Sequence, residues 1–179
     1  MITYRLAVAE DIPPLAELIP LSVRALQAAY YTAEQMEGAL GTVFAVDSQL
    51  IRDGTYFVAE AEGQIVGCGG WSRRRTLFGG DQMKTAEDPA LDPAVDAARI
   101  RAFFVRPGWE RKGIGSEIMS RCEAAARQAG FARIEIVATL IGELLYRKFG
   151  YEVVDRYDVG LKNGHALPVV RMRKADNGI

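Results

Sequence analysis

One stretch restricts the topology of this chain more than any other. An apolar run from Ala98 to Val105 is followed by the turn RPGWERKGIG (106–115), an amphipathic segment from Ile114 to Ala129 and a second apolar run from Arg133 to Ala138. In the middle segment Ile114, Ile118, Met119, Cys122, Ala125, Ala126 and Ala129 fall on one helical face, and Gly130 supplies its stop. A strand, a helix and a strand of the same sheet force the two strands to run parallel, with a right-handed crossover. Elsewhere the signals are for hairpins, whose strands run antiparallel. Glu62 and Gly63 join the runs Thr55 to Ala61 and Gln64 to Arg75, while Asn163 and Gly164 lie between Tyr151 to Asp158 and Leu167 to Arg173. The sheet is therefore mixed.

The remaining elements follow from caps and periodicity. Tyr4 to Val8 alternates as a strand does, and Asp11, Pro13 and Pro14 open a helix whose stripe is Leu15, Leu18, Ile19, Ser22, Val23 and Leu26, with a bend at Pro20. Thr32 and Gln35 form a capping box for a second helix through Met36 and Leu40, ending near Gly41. The Gly-, Asp- and Pro-rich stretch from Thr76 to Asp96 reads as a surface loop, and Ile141 to Phe149 as a short helix. At 179 residues, 49% of them hydrophobic, the chain is predicted to form one domain over residues 1–174, with a frayed tail at 175–179.

Charge and cysteine usage narrow the functional classes. Lys and Arg number 22 against 23 Asp and Glu, so no global positive field is available to attract nucleic acid, and none is expected as a partner. No window approaches the roughly 20 apolar residues of a spanning helix, and MITYRLAVAEDIPP lacks the pattern of a signal peptide, so no membrane partner and a cytoplasmic location are expected. Cys68 and Cys122, each inside an apolar pattern, read as buried reduced thiols; with His165 the lone histidine, a protein-built zinc site is not expected.

The turn itself has a chemistry. The first turn of a helix leaves four backbone N–H groups without intrahelical partners, and the helix dipole adds about half a positive charge there. Gly113 and Gly115 would let a phosphate approach those amides, with Arg111, Lys112 and Arg106 adding charge at the rim. Gly-x-Gly alone fits equally a tight strand-to-helix turn with solvated cations. A dinucleotide fingerprint would need glycine where Ile118 stands, and a P-loop would need Gly-Lys-Ser or Gly-Lys-Thr; neither is present.

The run from Arg99 to Phe131 resembles the coenzyme A site of the GNAT superfamily of N-acetyltransferases. That family's motif reads Gln or Arg, two free positions, Gly, one free position, then Gly or Ala; here it is Glu110 to Gly115, with Glu110 departing at the first position. Downstream, LLYRKFGYE (144–152) resembles the family's Leu-Tyr-x-Lys-x-Gly-Phe pattern, with Tyr146, Lys148, Gly150 and Tyr151 in register. Thr139 and Gly142 stand where the family often has Asn and Ala.

The resemblance implies a single α/β domain: a mostly antiparallel twisted sheet with helices on both faces and a central parallel pair that splays apart. Acetyl-CoA would be the cosubstrate and a primary amine, on a small molecule or a peptide, the acceptor. The pantetheine arm would lie beside Phe103, Phe104 and Val105, with Thr139 offering a hydroxyl, and the pyrophosphate on the amides of Arg111, Lys112, Gly113, Ile114, Gly115 and Ser116. The Phe103 amide would stabilise the oxyanion and Tyr146 would protonate the departing thiolate.

Where some members carry a glutamate base, this chain has Arg99, leaving Glu60, Glu135, Asp81, a water chain or an acceptor that arrives partly neutral. Arg73, Arg75, Arg99 and Arg101 are either ion-paired surface residues or a cationic acceptor pocket, and Tyr30, Tyr31 and Trp71 either acceptor-side walls or packing. A non-catalytic acyl-CoA sensor and a donor with a longer acyl group stay open as alternatives. Apolar strand residues near the carboxyl end would permit a homodimer.

Overall fold

The computed structural model describes residues 1–84 and 87–175. Seven strands form one sheet: β1 (Thr3–Leu6), β2 (Tyr56–Ala61), β3 (Gln64–Ser72), β4 (Ala98–Val105), β5 (Arg133–Ala138), β6 (Glu152–Gly160) and β7 (Ala166–Ala175). Their order is β1-β2-β3-β4-β5-β7-β6, and every neighbouring pair is antiparallel except the parallel pair β4 and β5. The helices are α1 (Ile12–Leu26), α2 (Ala33–Ala39), α3 (Ser48–Arg52), α4 (Ile114–Gln128) and α5 (Gly142–Lys148). Ala175 ends β7; the rest of the expected tail, 176–179, lies outside the described residues.

Two apolar clusters cover the two faces of the sheet, one for each set of helices. Leu15, Leu18, Ile19 and Val23 of α1, Met36 of α2 and Leu50 of α3 pack on one face. Ile114, Ile118, Met119, Cys122 and Ala126 of α4, with Tyr146 of α5, pack on the other. Cys68 and Cys122 are buried free thiols on opposite faces. Among the described residues no helix is long and apolar enough to cross a membrane.

Local signals set most boundaries. The Thr32 hydroxyl accepts the Gln35 N–H at 3.1 Å while the Thr32 N–H donates to Gln35 Oε1 at 2.9 Å, the reciprocal box expected of that pair. Helix α3 escaped the periodicity reading because it has only five residues; it is capped by Asp47, whose Oδ1 accepts the Gln49 N–H at 3.0 Å.

The feature that positions the site is the way β4 leaves its neighbours. It pairs with β5 only at Ala98 with Ile134 and Arg99 with Glu135, whereas β5 stays paired with β7 as far as Ala138. Beyond Arg99 the parallel pair is splayed, as the resemblance implied. Toward β3, the register jumps between the Phe104–Cys68 and Arg101–Gly70 pairs, and Ala102 takes φ +56°. This bulge reverses the alternation of side chains along the strand. Phe104 therefore joins the α1–α3 face, and Phe103 and Val105 pack on the α4–α5 face together with Ile100.

Candidate active site

A groove of about 460 Å³ opens where β4 and β5 part. Phe103, Phe104, Val105, Arg111, Gly113, Ile114, Gly115, Ser116, Thr139 and Tyr146 line it, which is the whole sequence-predicted cofactor set except Lys112. Ser22, Gln27 and Tyr30, from α1 and the turn after it, also line it.

The turn before α4 sets the groove's polar end. Gly113 caps the 15-residue helix with φ +81°, and among the described residues no side chain caps its first turn. Such a φ suits glycine, so Gly113 is needed for its conformation. At Gly115 an added methyl group would stand 3.1 Å from Leu145 Cδ2 of α5, a close contact that a small shift of that side chain relieves, in keeping with a motif that takes Gly or Ala there. Glu110, at the position that departs from the motif, accepts the Gly108 N–H at 2.7 Å and so closes the turn. Of the expected rim cations, only Arg111 lines the groove. Lys112 stacks over Trp109 at 4.5 Å, and Arg106 donates to the Ile65 carbonyl at 3.0 Å. Lys148 of α5 is the second groove cation, and the sequence reading gave it no such role.

Along the splayed edge of β4 the Val105 N–H donates to Ser22 Oγ at 3.3 Å, and Ser22 is buried. Sequence reasoning placed Ser22 only within an apolar stripe, where its polarity was the available signal. Gln27 is also buried, and its Oε1 has no hydrogen-bond partner among the described residues.

A second, smaller cavity of about 70 Å³ meets the groove at Phe103, Phe104, Thr139 and Tyr146, which line both. Its other walls are largely apolar: Phe44, Phe78, Val137, Leu167 and Val169, with Arg101. Tyr146 is buried with its ring edge-on to Phe103 at 6.1 Å between centroids, and its hydroxyl has no hydrogen bond among the described residues. Burial, and secondarily Cys122, pushes its pKa up, so the phenol stays protonated at neutral pH. The Thr139 hydroxyl oxygen accepts the Gly142 N–H at 3.2 Å, which leaves its own proton free to donate.

A buried latch fixes the cavity's outer wall. Arg101, 2% exposed, donates to Asp47 Oδ2 at 2.9 Å and to the Gly79 carbonyl at 2.6 Å, and Lys84 pairs with the other oxygen of Asp47. The Gly80 N–H donates to the Thr42 carbonyl at 2.8 Å. The loop after β3 is thus fastened to the segment between α2 and α3.

The expected acceptor residues disperse. Arg101 lines the cavity, but its guanidinium is engaged in the latch. Arg99 pairs with Glu135 beyond the cavity wall. Trp71 packs edge-on against Phe131 on the α4–α5 face, and Arg73 lies over the Trp71 ring at 5.4 Å, so neither reaches the cavity. Strand β3 ends at Ser72, opposite Arg99, so Arg73 and Arg75 run past the pairing that would have gathered four guanidinium groups. Tyr30 lines the groove and not the cavity. Tyr31 is buried, donates to the Pro168 carbonyl at 2.7 Å and accepts the Leu140 N–H at 3.1 Å. The candidate bases are also occupied: Glu60 pairs with Arg5, Asp81 accepts from Ser48, and Glu135 is held by Arg99, Arg171 and Arg173. None of the three lines either cavity.

This architecture has many counterparts. A GCN5-related N-acetyltransferase from Rhodopseudomonas palustris superposes with a TM-score of 0.71 at 20% identity, over 97% of this chain and 94% of that one. PaiA N-acetyltransferase from Thermoplasma acidophilum, in complex with coenzyme A, gives 0.64 at 14% identity over 98% and 99% of the two chains. YncA from Salmonella typhimurium, described as a putative acetyltransferase with its cofactor acetyl-CoA, gives 0.62 at 19% over 100% and 96%. At such identities the likeness shows the fold. Among curated proteins no sequence matches the chain. The model of the acetyltransferase (GNAT) domain matches residues 52–153, from the last residue of α3 into β6 and across both predicted motifs. By that match, more than half of its length, the chain belongs to the GNAT acetyltransferase family.

Proposed function

We propose that the protein transfers the acetyl group of acetyl-CoA directly to a primary amine, with the cosubstrate in the groove and the acceptor in the smaller cavity. The observation that carries this reading is the unbonded Tyr146 hydroxyl, on the wall that groove and cavity share. The open amides from Ile114 to Ser116, with Arg111, receive the pyrophosphate. The free edge of β4 takes the pantetheine as an added strand would be taken, and the Phe103 amide faces the developing oxyanion.

The amine nitrogen attacks the thioester carbon, the carbon–sulfur bond breaks, and Tyr146 gives its proton to the thiolate. The proton lost by the nitrogen leaves through water, and the phenoxide recovers one from solvent along the groove. An alkylamine with a pKa near 10 is only about one part in a thousand neutral at pH 7. Among the described residues no carboxylate lines the cavity to take that proton. Its apolar walls supply the substitute, because desolvation disfavours an ammonium and lowers its pKa. The same lack of a base favours the rival reading, an acyl-CoA sensor that never turns over.

Release of the CoA thiol with a panel of amines separates the two. Tyr146→Phe is expected to lower kcat by about a hundredfold, the ordinary worth of general acid catalysis, with little change in the KM for acetyl-CoA. Thiol release unaffected by that substitution would remove the acid from Tyr146, and tight CoA binding with no release for any amine would leave the sensor.

A further inference from the structure

Past the acceptor cavity, on the same face of the sheet, three guanidinium groups surround one carboxylate. Arg171 and Arg173 of β7 donate to Glu135 Oε2 at 3.0 and 2.9 Å, and Arg99 of β4 pairs with Oε1. Glu135 is 1% exposed, and although burial alone would raise its pKa, the guanidiniums hold it below the usual carboxylate range. A single carboxylate cannot satisfy three cations. The Nε atoms of Arg99 and Arg171 are both buried and have no hydrogen-bond partner among the described residues. Other acids stand close, and Asp96 acts on Arg99 through space, but among the described residues none of them is hydrogen-bonded to the three guanidiniums. Asp155 lies opposite Arg171 and Glu152 opposite Arg173 in the β6–β7 register, and Asp96 lies near Arg99. Asp155 and Asp96 instead accept the N–H groups of Arg156 and Asp92.

The cluster continues the strands that wall the cavity. Arg99 is two residues before Arg101, Glu135 two before Val137 and Arg171 two after Val169, so the strand alternation keeps them on one face. Thr139, where cavity and groove meet, is two residues beyond Val137, which pairs with Arg171, and four beyond Glu135. At about 3.3 Å per residue, Glu135 and the Val137 position opposite Arg171 lie about 7–13 Å along β5 from Thr139, which sets the scale of the separation between the cluster and the point of acyl transfer.

We infer that the acceptor is an amine carrying a carboxylate about 7–13 Å from its nitrogen, which docks on Arg99, Arg171 and Arg173 while the amine reaches Tyr146. The inference rests on the acetyl-transfer reading and narrows it to a substrate class. An α-amino acid does not meet the requirement, because its two groups share one carbon. An ω-amino acid does, and so does a peptide of two to four residues at roughly 3.3–3.6 Å per residue.

The test compares acceptors that differ only in charge: ω-aminooctanoate against its neutral ω-amino amide, and a tripeptide with a free carboxyl end against its C-terminal amide. The acid of at least one pair is expected to exceed its amide about tenfold in kcat/KM, the worth of one charge-assisted contact, with leucine a poor acceptor. The pair that responds tells the small molecule from the peptide. In Arg171→Gln, whose side chain is partly exposed and whose loss the fold should survive, that ratio should collapse to within about twofold. Equal turnover of acid and amide in both pairs, or a ratio that survives in Arg171→Gln and Arg173→Gln alike, would overturn the proposal. If no amine is acetylated, acetyl transfer itself fails. Calorimetric titration of ω-aminooctanoate and its amide onto the CoA-loaded protein then decides: acid-selective binding lost in Arg171→Gln upholds the carboxylate site, and equal or absent binding rejects it.

Discussion

The groove and the cavity meet at Tyr146 but are made of different materials. The polar contacts of the groove come mainly from backbone: the open amides of the first turn of α4 and the edge of β4 that β5 has left. The cavity is made of side chains from distant parts of the chain, among them Phe44, Phe78, Arg101, Val137 and Leu167, and is fastened by a buried ion pair. A backbone site tolerates exchange of side chains as long as the conformation survives. Glu110 and Thr139 therefore occupy motif positions without spoiling the groove, each spending a side-chain oxygen on a local turn. The cavity has no such tolerance, because its wall depends on particular partners.

Breaking the latch gives the largest effect expected from this difference. In Asp47→Ala the Arg101 guanidinium loses its buried counter-charge, a loss of about 3–5 kcal/mol when one partner of such a pair is removed. The melting temperature should fall on the order of 10 °C. Any surviving folded protein should show a raised acceptor KM, because the loop from Gly79 to Lys84 is released, and a nearly unchanged affinity for CoA. A parallel loss of CoA affinity would mean that groove and cavity are not independently built.

The complementary substitution strikes the groove. Gly113→Ala places a Cβ at φ +81°, at a cost of about 1–2 kcal/mol, and the chain relieves it by shifting the amides that follow. CoA affinity should drop about tenfold if that whole cost falls on the bound state, and Gly113→Asn, which tolerates the left-handed region better, should lose less. Titration calorimetry of both variants checks the order. Wild-type affinity in Gly113→Ala would deny the turn any part in binding.

The same division explains what could be read from sequence. Ala98–Val105 and Arg133–Ala138 emerge with the predicted boundaries, and α4 begins at the predicted Ile114, because apolar runs and a glycine turn are local signals. Those signals placed the elements, and the resemblance of the two motifs to the GNAT family is what marked the space between them as the cofactor groove. The bulge at Ala102 was not legible, since alanine carries no preference for positive φ, yet it decides which face Phe103 and Phe104 take. The Asp47–Arg101 pair joins residues 54 positions apart, and no spacing rule reaches that far. Two of the three arginines around Glu135 come from β7, which became a neighbour of β5 only through the strand order.

The smallest effect sharpens the comparison at a place where a side chain intrudes on the backbone site. Ser22 Oγ takes the Val105 N–H at 3.3 Å, so a pantetheine carbonyl bound along β4 has to displace it. The bond is long, and a neutral hydrogen bond contributes about 0.5–1.5 kcal/mol net. Ser22→Ala should therefore cost about that much stability while raising CoA affinity roughly threefold, because the freed amide gains its partner only on binding. Ser22→Thr, which keeps the hydroxyl, should restore the wild-type affinity if the added methyl is accommodated. The two signs, stability down and affinity up, must appear together. A fall in CoA affinity in Ser22→Ala would mean that the hydroxyl donates to the cosubstrate instead of competing with it, and the groove would then depend on at least one side chain in the way the cavity does.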